Sequence, residues 1–171
     1  DNLLPDNNDI RLHVAEQASA DGVDAYSLLY AIGRDCVGAL QFLPSDAEHQ
    51  FYEPGHIETA PITDLEIERL IRNLKRAPLG LGANSEFRIS IAGVQEKTAL
   101  LRQGGRWRVP LGATPTTHIL KPAIGRLENG LDLRLSVENE HFCMTLLRAL
   151  GLPAAKTEIA TFGDTRVLVV E

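Results

Sequence analysis

The second half of the chain reads as short strands joined by turns, and this order restricts the possible folds more than any other feature. Residues 98–102 and 107–110 are apolar stretches that flank residues 103–106, whose paired glycines are typical of a β-hairpin. Residues 117–121 form a further short strand. Because neighbouring antiparallel strands need only short connections, these segments predict an antiparallel sheet.

A single helix interrupts the strands. Ser136 is a candidate N-cap, and apolar residues then recur at three- and four-residue spacing until Gly151. Two more strands, residues 157–161 and 166–171, meet at a turn around Gly163. The pattern from residue 87 onward therefore predicts a small antiparallel sheet plus one helix.

The first part of the chain differs in character, since it is mainly helical with one strand. Its last predicted helix starts at a T-x-x-E capping box formed by Thr63 and Glu66. A dense run of turn-forming residues follows at residues 78–86. We therefore predict an α+β protein with an amino-terminal subdomain at residues 1–77, a linker at 78–86 and a second domain at 87–171.

Charge and composition exclude several classes of protein. The net charge of −6 argues against a broad nucleic-acid surface, which requires clustered Lys and Arg. No apolar run approaches the ~20 residues that cross a bilayer, so we expect no membrane contact and a cytoplasmic location. Cys36 and Cys143 lack metal-binding spacing and are predicted to be buried free thiols, and no histidine pair has such spacing, so no metal site is expected.

The two ends of the sequence suggest a piece of a longer protein. The first residue is Asp1 rather than Met, and the last residues, 167–171, stop within an apolar run. We therefore expect further sequence on both sides.

Candidate chemistry lies in a loop, a strand and the helix. Residues 90–98 include small Ala92 and Gly93, which permit close approach to a ligand. Lys121 ends its strand before a proline, and Glu140 lies on the apolar side of the helix. Taken singly, these features favour an ordinary β-turn, an exposed lysine and a surface salt bridge. Their order along the chain is that of a protein-kinase small lobe, in which a helical Glu holds a strand Lys beside the nucleotide phosphates.

Three segments resemble HipA kinases, the toxins of HipBA persistence modules. Residues 87–101 (FRISIAGVQEKTALL) resemble the phosphate loop of that family, residues 114–121 its lysine-bearing strand, and residues 136–140 the start of its next helix. Residues 1–6 and 32–39 also resemble its amino-terminal subdomain. The resemblance implies an amino-terminal subdomain followed by a protein-kinase-like small lobe.

The resemblance also implies roles for individual residues. Lys121 would pair with phosphate oxygens of ATP–Mg²⁺, Glu140 would position Lys121, Glu171 would lie at the hinge beside adenine, and Ser90 would be the autophosphorylation site. The triphosphate would be wrapped by one loop, formed by Ala92, Gly93, Val94, Gln95, Glu96 and Lys97. Catalytic residues are expected beyond Glu171 and none within the chain.

Partners follow from the same resemblance. Members of the family phosphorylate glutamyl-tRNA synthetase and are neutralised by a HipB-type helix-turn-helix antitoxin on operator DNA, so any DNA contact would be indirect. Two alternatives stay open. The chain could be a noncatalytic module that binds an antitoxin or another partner, or a pseudokinase that keeps the loop without the downstream Asp pair.

Overall fold

The computed structural model describes residues 3–33, 36, 40, 42, 57–74, 95–112, 114–127 and 129–171. The helices and strands follow in the order α1 Asn8–Ala18, α2 Ala25–Ile32, β1 Thr59–Pro61, α3 Asp64–Arg72, β2 Thr98–Gln103, β3 Arg106–Pro110, β4 His118–Pro122, β5 Gly125–Arg126, β6 Asp132–Leu133, α4 Ser136–Ala149, β7 Thr157–Phe162 and β8 Thr165–Val170. This confirms the predicted α+β class. Within the described ranges, no helix has the length and apolar character needed to span a membrane.

Six of these strands form one antiparallel sheet in the order β1-β3-β2-β4-β8-β7. The β2–β3 hairpin turns at Gly104 and Gly105, whose φ angles of 57° and 76° favour glycine. Strands β5 and β6 pair separately as a small ribbon before α4. The helix thus interrupts the sheet between β4 and the β7–β8 hairpin, as the sequence predicts.

Alternating residues of the central strands β2 and β4 pack into two separate hydrophobic cores, one on each face of the sheet. Ala99 of β2 packs with the buried residues of α1 and α2, and Ile119 of β4 packs against the same cluster. Leu100 and Leu120, the next residues along each strand, instead pack with α3 and with β7 and β8. Successive side chains of a strand point to opposite faces, so the sheet is covered on both sides.

The sheet and one of its cores include residues from the predicted amino-terminal subdomain. β1 pairs with β3 at the edge of the sheet, and Ile67, Ile71 and Leu74 pack against Leu100 and Leu120. Helix α3 therefore packs on the second domain, whereas its sequence position suggested that it closes the first. The predicted linker at residues 78–86 lies outside the described residues, and the boundary itself stays a prediction.

The helix starts test the predicted caps. Thr63 and Glu66 form the reciprocal capping box at α3, which confirms that prediction. The prediction for Ser136 is wrong, because α4 already includes Ser136 and its N-cap is Leu135 without a side-chain hydrogen bond. The Ser136 hydroxyl instead accepts a hydrogen bond from the backbone N–H of Ile124, at 3.0 Å. One thiol prediction is also wrong, since Cys36 is buried but Cys143 on α4 is exposed.

Candidate functional site

Two lysines lie side by side on neighbouring strands. Thr98 of β2 is paired with Leu120 of β4, so Lys97, just before β2, lies next to Lys121 across the ladder. The Lys97 residue is only 7% exposed, and the Lys121 side chain is 19% exposed. Lysine side chains are rarely this buried unless they form an ion pair. Two largely buried lysines on neighbouring strands are therefore an unusual feature of this sheet face.

Lys121 is held by the helix that follows it in the chain. Its Nζ donates hydrogen bonds to both carboxylate oxygens of Glu140 on α4, at 2.7 and 2.8 Å. Both side chains are largely shielded, with 19% and 31% exposed. Ion pairs that serve only the surface are more exposed and less constrained in geometry. The structure therefore brings together the strand lysine and the helical glutamate, although their role toward a nucleotide stays a prediction.

Lys97 carries its charge in an unfavourable environment. Burial and the neighbouring Lys121 lower the pKa of the Lys97 amine below its ordinary value, while Asp6 raises it. Desolvation and a like charge both disfavour the protonated form. A bound anion would relieve both effects, so the two lysines are suited to hold a group with several negative charges.

The carboxyl end of the predicted loop lies beside these lysines. The side-chain amide of Gln95 donates a 2.9 Å hydrogen bond to the carbonyl of Pro122, the residue after Lys121. Glu96 is half-buried in the same segment. Ser90 and the loop residues Ala92, Gly93 and Val94 lie outside the described residues. Of the predicted loop at residues 92–97, the structure thus describes the last three residues, Gln95, Glu96 and Lys97.

Glu171 is separate from this group. Lys121 is paired with Leu168 of β8, and Glu171 lies further along, just after that strand. Its carboxylate oxygens lie 3.3 and 3.4 Å from the ammonium of Lys156, and its backbone N–H donates to the Lys156 carbonyl. It lines a groove with His118 and Val169, on the sheet face opposite Lys121. Its backbone is therefore at the end of the strand, but its side chain is not beside the lysines.

The groove around Glu171 holds charges of both signs. Arg102 pairs with Glu158 at 2.6 Å and stacks on Trp107, with 5.1 Å from the guanidinium carbon to the ring centroid. Burial and Arg102 lower the pKa of His118, while Glu171 and Glu158 raise it. In this groove, the carboxylates of Glu158 and Glu171 thus already have basic partners in Arg102 and Lys156.

The chemical capacity of the lysine site is binding rather than bond breaking. It supplies two ammonium groups, a carboxylate that fixes one of them, and a loop end. Within the described ranges, no group of three or more His, Cys, Asp and Glu residues has the geometry to hold a metal ion. The influence of Asp6 on Lys97 was missed at the sequence level, since no local pattern connects two such distant positions.

Two protein-family models match the chain. A model described as the HipA N-terminal domain matches residues 1–43, and one described as the HipA-like C-terminal domain matches residues 89–171. The second match contains Lys97, Lys121 and Glu140.

Individual relatives agree with the family models. The putative kinase Y4mE of Sinorhizobium fredii is 35% identical over 172 residues, covering 99% of this chain and 39% of that protein. The serine/threonine-protein kinase toxin HipA of Shewanella oneidensis is 30% identical over 170 residues, covering 99% of this chain and 36% of that protein. A solved complex of Shewanella oneidensis HipA, HipB and operator DNA matches with a TM-score of 0.65 and 28% identity, over 99% of this chain and 36% of that chain. The chain thus spans less than two fifths of the length of these relatives.

Proposed function

Because this chain belongs to the HipA family, we propose that it is the nucleotide-cradling part of a HipA-type serine/threonine protein kinase toxin. The observation that carries the proposal is the Lys121–Glu140 pair, at 2.7 and 2.8 Å, with Lys97 on the neighbouring strand. Kinases require a strand lysine held by a helical glutamate to orient the phosphates of ATP. The relatives named as kinases support the same assignment.

The residues of this chain would bind and orient rather than move protons. Lys121 and Lys97 would neutralise charge on the triphosphate, and Glu140 would keep the Lys121 ammonium in one direction. Gln95 would anchor the loop end through its hydrogen bond to Pro122. ATP with Mg²⁺ would supply the transferable phosphoryl group, and the groups that activate the acceptor hydroxyl would come from sequence outside these residues. Glu171 would contribute at the hinge through its backbone, since its side chain faces the opposite side.

Phosphoryl transfer to serine tests this function directly. We expect the full-length form, meaning a chain as long as the curated relatives, to incorporate label from γ-labelled ATP and Mg²⁺ onto Ser90. Phosphate near an anion-binding loop would repel ATP, so labelling should slow as it proceeds. Mass spectrometry locates the label, and Ser90→Ala is the matched control. ATP binding without any transfer would favour a pseudokinase, and neither binding nor transfer would refute the proposal.

Lys97 offers a test that separates binding from stability. We expect Lys97→Met to raise the melting temperature at pH 7 while weakening ATP binding. Its pKa is lowered in the folded state, so the folded chain binds this proton less tightly than the unfolded chain. The resulting loss of folding stability is largest below the pKa of Lys97 in the folded chain, and it disappears as the pH rises toward the ordinary pKa of lysine. Calorimetry should therefore show that the difference in melting temperature between Lys97→Met and wild type becomes smaller in alkaline buffer. If Lys97→Met melts at a lower temperature than wild type at pH 7, Lys97 is not a destabilising buried cation.

The proposal also names a partner protein and a protein substrate for the kinase. The solved Shewanella complex contains HipB and operator DNA, which supports a HipB-type helix-turn-helix antitoxin as the partner here, with DNA contacted through it. The net charge of −6 agrees with indirect DNA contact. Glutamyl-tRNA synthetase is the proposed protein substrate, and it rests on the family resemblance alone.

A further inference from the structure

Helix α4 carries Glu140, but apolar packing does not determine where this helix lies. Within α4, all of which the structure describes, Val137 is the only buried residue. Phe142 and Leu146 on this helix are 65% and 46% exposed. Burial of apolar surface is also non-directional, so it constrains the rotation of a helix weakly when so little surface is covered. The position of Glu140 must depend on other contacts.

Two polar contacts join α4 to the β7–β8 hairpin. The Oε1 atom of Glu138 lies 2.9 Å from Nη1 of Arg166 on β8, and Nδ1 of His141 lies 2.9 Å from Oγ1 of Thr157 on β7. Together with Lys121 and Glu140, they connect α4 to β4, β8 and β7, which are consecutive strands of the sheet. Hydrogen bonds and ion pairs at these distances are directional, so they constrain both rotation and translation.

The spacing of the two contacts suits a role in positioning. Glu138 and His141 are three residues apart, so they neighbour each other on the helix surface, and Glu140 lies between them in sequence. The Oε2 atom of Glu138 is buried and has no hydrogen-bond partner among the described residues. An apolar side chain at this position would avoid the free-energy cost of removing a carboxylate oxygen from water. The presence of Glu138 is therefore better explained by its role in orienting α4 than by a gain in stability.

We propose that Glu138 and His141 are positioning residues that hold α4 on the β7–β8 hairpin and thereby keep Glu140 on Lys121. They do not touch the phosphates and act only through the Lys121–Glu140 pair. The inference rests on the proposed function for its purpose, although the position of α4 is measurable without any nucleotide.

The nucleotide-free test measures the chemical reactivity of Lys121. Thr157→Val removes the hydroxyl at nearly constant volume, Glu138→Gln weakens the contact to Arg166, and Thr157→Ser keeps the hydroxyl as the matched control. Acylation of Lys121 is followed by mass spectrometry relative to the exposed Lys156. We expect the first two variants to raise the relative rate about three- to tenfold, because a Lys121 side chain released from Glu140 is more accessible to the acylating reagent. Unchanged rates in both, or an equal rise in Thr157→Ser, overturn the proposal.

A coupling test asks whether these residues act through Glu140. In the full-length form, Thr157→Val should weaken ATP binding about fivefold, and this effect should vanish in a Glu140→Gln background. A merely structural role would give the same loss in both backgrounds, which would overturn the inference. If wild type binds no ATP, the proposed function fails, whereas the acylation rates still decide whether Glu138 and His141 position α4.

Discussion

Replacing Lys121 with alanine in the full-length form is expected to reduce ATP affinity about 100-fold or more while leaving the fold intact. The substitution removes the ammonium that Glu140 holds at 2.7 and 2.8 Å, and it leaves the Glu140 carboxylate facing the place where the phosphates would bind. That place would lose an attraction and acquire a repulsion at once. Isothermal titration calorimetry with ATP measures the effect.

The fold should tolerate this change because both side chains keep some contact with water. Their exposed fractions of 19% and 31% let the remaining Glu140 carboxylate be hydrated after a small movement. Arg72→Ala serves as the control, since it removes a cation from the ion pair with Glu68 on α3, and α3 packs on the sheet face opposite Lys121. Equal ATP affinity in wild type and Lys121→Ala would remove Lys121 from the proposed site.

Ile67→Ala is expected to lower the free energy of unfolding of this chain by about 3 kcal/mol. Ile67 of α3 is fully buried against Leu100, Leu120 and the β7–β8 hairpin, so the substitution leaves a cavity in the core of the sheet. The single tryptophan, Trp107, packs against the same cluster, which makes its fluorescence a reporter on the sheet. Urea unfolding followed at Trp107 should therefore shift to lower denaturant.

Leu65→Ala on the same helix is the matched control. Leu65 is 55% exposed, so its truncation should change the free energy of unfolding by less than about 1 kcal/mol. If α3 instead belonged to an independent amino-terminal unit, the Trp107 transition would not respond to Ile67→Ala. Such a result would show that α3 does not share a core with the sheet, and it would support the predicted amino-terminal subdomain at residues 1–77.

Much of the local structure was predictable because its causes are local. The capping box of Thr63 and Glu66 needs only four residues, and the hairpin at Gly104 and Gly105 needs only a turn that tolerates positive φ. The HipA resemblance was also correct, since consecutive residues carried it. The prediction for Ser136 failed although it is local, because the same hydroxyl also suits a contact with Ile124 and sequence cannot rank the two.

Long-range contacts were less predictable. The three-residue strand β1 ends in a proline and has no periodicity of its own, so only pairing with β3 makes it a strand. Cys143 was expected to be buried, yet it lies on the side of α4 that the sheet leaves open. Glu171 was predicted to be the last residue of its strand, but it lies just after the strand, and the alternation of side chains directs its carboxylate toward Lys156.

The amino-acid sequence alone was enough to predict the order of strands and helix, to identify the HipA family, and to choose Lys121 and Glu140 as a candidate pair. These conclusions depend on neighbouring residues and on order along the chain, which sequence contains directly. The folded structure was needed to show that Lys97 is buried beside Lys121, that α3 packs in the core of the sheet, and that Glu138 and His141 connect α4 to the β7–β8 hairpin. Those facts arise from strand register and packing between distant segments, which the spacing of residues along the chain does not specify.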